Sequence, residues 1–139
     1  MESYELRVRE SFSRQEMMKT LGAQLSTVSN GATEIRFPCA ASLTQQHGFV
    51  HAGAVTTALD SACGYAALSV APEGTEVLSV EFKVNLLAPA TGEAIVARAQ
   101  VKRAGKTLTV CTGDAFAVRP EGEKLIATML ATMIYVPQK

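Results

Sequence analysis

A polar loop, Gln45-Gln46-His47-Gly48-Phe49-Val50-His51-Ala52-Gly53, runs into an apolar stretch carrying a single acid, Asp60, nine residues after His51. Asp60 is the only acid between Glu34 and Glu73. A lone carboxylate in an apolar helix is costly unless it is paired, hydrogen-bonded or protonated. Perturbed carboxylates cluster at functional sites. Asp60 therefore reads either as a working acid or as a structural one that bonds local backbone or turns to solvent. His51 has the chemistry of a general base, but no Ser or Cys partner stands at an interpretable position. Its expected part is to shape the helix entrance by hydrogen bonding. Cys63 lies deep in the same stretch with no basic neighbour in sequence, which argues against a nucleophile.

The element that must hold these residues is a helix over Ala52 to Val70. Ala, Val, Leu and Gly dominate it, and a helix apolar nearly all round is wrapped by other structure. Ala52 to Ala71 is long enough to span a bilayer, at about 20 residues. It carries Asp60, Thr56, Thr57, Ser61 and Tyr65, however, and an ionisable residue near a midplane is costly. A buried helix is the better account. Pro72 and Gly74 end it.

Upstream, Ser11 to Leu21 reads as a short amphipathic helix with Gly22 as its stop. Ala23 to Val28 and Ala32 to Pro38 flank Ser29-Asn30-Gly31, a hairpin signal. Ser42 to Val50 reads as loop. Downstream, Thr75 to Leu87 alternates, with Leu78, Val80, Phe82, Val84 and Leu86 on one face and Ser79, Glu81, Lys83 and Asn85 on the other. Glu93 to Arg103 and Lys106 to Val118 continue as strands. Lys124 to Val136 is apolar on both faces, so burial on both is expected. The pattern predicts an α+β domain spanning residues 1–139, with about six antiparallel strands covering one long helix.

Composition bounds the rest. The chain has 139 residues, 47% hydrophobic and 19% charged, with 13 Lys+Arg against 13 Asp+Glu. Zero formal net charge argues against bulk nucleic-acid binding and against a polybasic membrane anchor. Cys39, Cys63 and Cys111 are widely spaced and form no C-x-x-C, so neither a zinc site nor a disulfide framework is expected, and a cytoplasmic setting fits. The first residues lack an apolar run, so no signal peptide is expected. Nothing calls for a cofactor.

The pattern Gln-x-x-Gly-x-x-His-Ala-Gly, with an acid nine residues after the His, resembles the hotdog-fold acyl-CoA thioesterases of the phenylacetate-pathway type. Their usual form is Asn-x-x-Gly-x-x-His-Gly-Gly…Asp. The likeness extends to Ser79-Val80-Glu81-Phe82 with Asn85 and Pro89, and to Gly105-Lys106-Thr107-Leu108, covering most of Thr44 to Val110. It implies a hotdog fold and hydrolysis of an aryl or short- to medium-chain acyl-CoA. It implies Asp60 as base or nucleophile, and Gln45 as a holder of the thioester or the water. Ala52 would supply a backbone N–H to the thioester carbonyl, and Ser79 would assist near the acid. Gln45 stands where Asn is commoner, and Ala52 where Gly is usual; an N–H donor survives that change.

Thioester hydrolysis builds negative charge on the carbonyl oxygen, which backbone N–H groups at a helix N-terminus suit. Gly48 and Gly53 permit close backbone approach there. Phe49 and Tyr65 read either as acyl-pocket walls or as core. Arg103 and Lys106, with Lys102, flank a tight turn and read either as CoA-phosphate ligands or as a solvated face. Two rival functions remain. One is a non-catalytic acyl-CoA or acyl-carrier binding protein. The other is a hotdog dehydratase, although the Asp-x-x-x-x-His pattern is absent after Asp60. Ala52 and Asp60 are eight residues apart, about 12 Å along a helix. One thioester carbonyl cannot reach both within a chain, so a homodimer or homotetramer with shared sites is expected.

Overall fold

The computed structural model describes every residue, Met1–Lys139. Its elements are α1 (Ser3–Arg14), α2 (Glu16–Leu21), β1 (Gln24–Ser29), β2 (Ala32–Pro38), a short 3-10 turn (Ala41–Leu43), α3 (Ala52–Val70), β3 (Thr75–Leu86), β4 (Ala94–Ala104), β5 (Leu108–Arg119) and β6 (Gly122–Pro137). The six strands form one antiparallel sheet in the order β1-β2-β4-β5-β6-β3. The long helix α3 lies across this sheet and packs on β2, β4, β5 and β3. This is the hotdog arrangement. Gly113 on β5 marks a close approach: a Cβ there would sit 3.1 Å from Cys63 Sγ and 3.2 Å from Leu59 Cδ2.

The hairpin forms at Asn30-Gly31, where Gly31 takes a positive φ of 89° that a side chain disfavours. The N-terminal helix differs from expectation. Helix begins at Ser3 and breaks at Gln15, whose extended backbone (φ −84°, ψ 106°) separates α1 from α2. Ser3 to Glu10, outside the helix expected over Ser11 to Leu21, bury Val8 and form a Glu5–Arg9 pair. Arg7 also donates to the carbonyls of Leu68, Ala71 and Pro72. A cation suits that end of α3, where carbonyls lack helical partners.

Strand β3 corrects the simple alternation. Ser79 opposes Met133 and Glu81 opposes Thr132, so Val80 is bulged out of the ladder. Directly opposed residues share a face. Phe82, Val84 and Leu86 oppose the buried Ala131, Met129 and Ala127, and Ser79 opposes the buried Met133. Ser79 thus joins Phe82, Val84 and Leu86 on the α3 side, while Leu78 opposes Ile134 on the other. The extra residue reverses the phase of a period-two pattern. Strand β6 is buried on one face only. Leu125 and Leu130 are 41% and 50% exposed, because both long packing elements, α1 and α3, lie on the opposite side of the sheet.

Candidate active site

The loop before α3 is built by Gln45. Its Oε1 accepts from the N–H groups of His47 (2.6 Å) and Phe49 (3.3 Å). A bridge between Thr44 and Val50 closes the loop, and Gly48 turns it with a φ of 86°. His51 then caps α3: its Nδ1 accepts from the Gly53 N–H at 2.7 Å. Its carbonyl takes the N–H groups of Ala54 and Val55. A Cβ on Gly53 would stand 2.9 Å from that Nδ1, so the cap needs glycine at this position. His51 therefore shapes the helix entrance by hydrogen bonding. Ala52 alone in this first turn has an N–H with no acceptor in the chain, a free donor at the positive end of a helix dipole.

This end of α3 opens on a cleft of about 610 Å³ lined by Gln45, Phe49, His51, Ala52, Leu86 and Pro89, among others. Phe49 is 39% exposed and belongs to the cleft rather than to the core. Asp60 faces a different cleft of about 440 Å³, shared with Ser79 and Tyr65. Ser79 Oγ donates to Asp60 Oδ1 at 2.6 Å. Tyr65 is 7% exposed, with its ring 5.9 Å from Phe12, so it is both core and cleft wall. The sequence-predicted residues thus divide between two clefts: Asp60, Ser79 and Tyr65 in one; Gln45, Phe49, His51 and Ala52 in the other.

Within one chain no histidine lines the Asp60 cleft. Burial, reinforced by the neighbouring Cys111 and Asp60, pushes the Cys63 thiol far above the ordinary value, away from the reactive thiolate form. Lys102, Arg103 and Lys106 are exposed at the β4–β5 turn, outside both clefts and free of ion pairs. No group of three His, Cys, Asp or Glu side chains is placed to hold a metal ion. No helix is long and apolar enough to cross a membrane. Sequence reasoning missed Gln15, which lines the Asp60 cleft and reaches Ser61 and Tyr65 on α3. Its one sequence signal was a polar residue inside an otherwise helical run.

A six-stranded sheet wrapped on one long helix makes the chain a hotdog protein. The model of the thioesterase superfamily matches residues 47–123, and the chain belongs to that superfamily. A thioesterase family protein from Silicibacter pomeroyi is 52% identical, with a TM-score of 0.95 over 97% of this chain and 99% of that one. The E. coli PaaI protein of the phenylacetic acid degradation operon shares the fold at 19% identity, with a TM-score of 0.87 over 98% and 95% of the two chains. A protein from Halobacterium salinarum named as an esterase is 32% identical over 99 residues, 68% of this chain; the match spans 65% of that relative's length.

Proposed function

We propose that this protein hydrolyses acyl-CoA thioesters, aryl or of short to medium chain, to the free acid and CoA. The observation that carries the reading is the Ser79–Asp60 hydrogen bond at 2.6 Å, which fixes a carboxylate toward a cleft. Asp60 either takes a proton from an attacking water or itself attacks the thioester carbon. In the first course the carbon–sulfur bond breaks, CoA leaves as thiolate and takes up the proton. In the second, an Asp60 anhydride forms as CoA leaves, and water then cleaves it. The Ala52 N–H stabilises the developing oxyanion, and Gln45, whose Nε2 is unengaged, orients the thioester or the water.

The working unit in this reading is a homodimer or homotetramer, with Asp60 and Ser79 from one chain and Ala52 and Gln45 from another. Two findings support it. The two halves occupy separate clefts of a single chain. The edge strand β3 also exposes Val80 (53%), Phe82 (42%) and Leu86 (56%), apolar surface beside unpaired strand groups that a second copy would cover. Lys102, Arg103 and Lys106 would meet the CoA phosphates. The free thiols of Cys39, Cys63 and Cys111 fit a cytoplasmic setting.

The test is thiol release from a panel of CoA thioesters by the parent protein and by Asp60→Asn. Release by the parent that collapses in the variant supports the reading. Tight binding of the panel without release by either protein replaces it with the non-catalytic acyl-CoA binding protein.

A further inference from the structure

The cleft that holds Asp60 continues along α3, and its far end is polar. Gly64 follows Asp60 by one helical turn, about 6 Å along the axis. A Cβ built on it meets nothing within 4 Å. Glycine disfavours a helix interior, and no neighbour here requires the missing side chain. What its absence provides is floor space in the cleft.

Past Gly64 stands Gln15, at the break between α1 and α2. Its Nε2 donates to the Tyr65 hydroxyl at 2.8 Å, and its Oε1 accepts from Ser61 Oγ at 3.0 Å. Ser11 Oγ lies 3.4 Å from the same Tyr65 hydroxyl. All four side chains line the cleft. A carboxamide offers two N–H donors and two acceptor lone pairs, so Gln15 keeps one of each spare. The cleft, about 440 Å³, falls in the size range of small-ligand sites. Apart from Asp60, its charged lining is Arg14 and Glu76, opposite in sign. The hydrogen-bond partners of the Tyr65 hydroxyl, Gln15 and Ser11, are themselves neutral, and a charged ligand end seated on that cluster would exchange its water for neutral dipoles.

We propose that this cleft is the acyl pocket, that Gly64 sets the bulk it admits, and that Gln15 with Tyr65 and Ser61 selects acyl groups ending in an uncharged hydroxyl or carbonyl. The proposal rests on the thioesterase reading above and adds the class of acyl group and the residues that choose it. Bound there, the acyl chain would run from the thioester at Asp60, over Gly64, to the carboxamide of Gln15.

The experiment compares hexanoyl-CoA with ω-hydroxyhexanoyl-CoA, by kcat/KM and by calorimetric binding. The parent protein should favour the hydroxylated ester roughly three- to tenfold, the effect of one net hydrogen bond. Gln15→Met, similar in shape but without the amide, should bring that ratio to about one or below. Gly64→Leu places a good helix former where a Cβ meets nothing within 4 Å, so circular dichroism should be unchanged. It should lower the hexanoyl-to-acetyl ratio of kcat/KM about tenfold or more. Equal turnover and equal binding of the two esters by the parent, or a ratio that survives Gln15→Met, overturns the selectivity. An unchanged chain-length profile in Gly64→Leu overturns the pocket. Binding that shows the Gln15-dependent preference without any hydrolysis would instead remove the thioesterase reading and leave the pocket standing.

Discussion

Ser79 donates its hydroxyl to Asp60 Oδ1 at 2.6 Å because Val80 is bulged from the β3–β6 ladder. Without the extra residue, Ser79 would share a face with Glu81 and point away from α3. A hydrogen bond to a charged group contributes about 1.5–3 kcal/mol. Ser79→Ala should therefore lower kcat roughly 10- to 100-fold, and Ser79→Thr, which keeps the hydroxyl, should recover most of it. Steady-state kinetics of both variants checks this.

Asp60→Asn keeps the shape and the hydrogen bond from Ser79 but removes the charge. Its kcat should fall by about 10²–10⁴, the usual range for one acid–base group, with unfolding unchanged. Single-turnover hydrolysis in heavy-oxygen water separates base from nucleophile: label in Asp60 itself means an anhydride.

Ala52 is the first residue of α3, after an N-cap His51 whose backbone is extended (φ −58°, ψ 138°). Proline is tolerated at that position and deletes only the N–H. Ala52→Pro should therefore leave thermal stability nearly unchanged and cost about 10²–10³ in kcat, as for the loss of one oxyanion donor. Equal activity in parent and variant would mean that the N–H plays no part.

If the sites are shared between chains, Asp60→Asn and Ala52→Pro proteins complement each other. Co-expressed and purified as mixed assemblies, they should regain a sizeable part of parental activity, because one interface then holds an intact Asp60 opposite an intact Ala52. Phe82→Glu, at a position of edge strand β3 that is 42% exposed, should shift sedimentation toward monomer and abolish turnover together. A fully active monomer would end the shared-site account.

Binding through Lys102, Arg103 or Lys106 should weaken with salt, since the Debye length falls from ~10 Å at 0.1 M to ~3 Å at 1 M. KM should rise with salt for CoA esters and much less for thioesters lacking the nucleotide. Equal responses would remove these cations from the site.

Much of the architecture was legible because it rests on local signals. The Asn30-Gly31 turn, the caps of α3 and the period-two runs each follow from short-range sterics and burial. The helix Ala52–Val70 is where its apolar composition placed it. His51 as a hydrogen-bonding element at the helix entrance was likewise readable, since side chains at an N-cap have few partners other than nearby N–H groups. Gln15 was not readable. Its value depends on Ser61 and Tyr65, 46 and 50 residues away, and no local pattern encodes that meeting.

By itself, then, the sequence determined the long helix and the six strands, though not the helix before Ser11 or its break at Gln15, and that one acid would sit alone on the buried helix. Those outcomes depend on the chain's own periodicity. Only the tertiary structure decided that Ser79 faces Asp60, since a bulge is a mismatch between two strands and belongs to neither alone. It also decided that Asp60 and Ala52 open on different clefts, and that β3 and one face of β6 stay uncovered. An apolar residue carries the same hydrophobicity whether its own chain or a second copy covers it, so only packing tells the two apart.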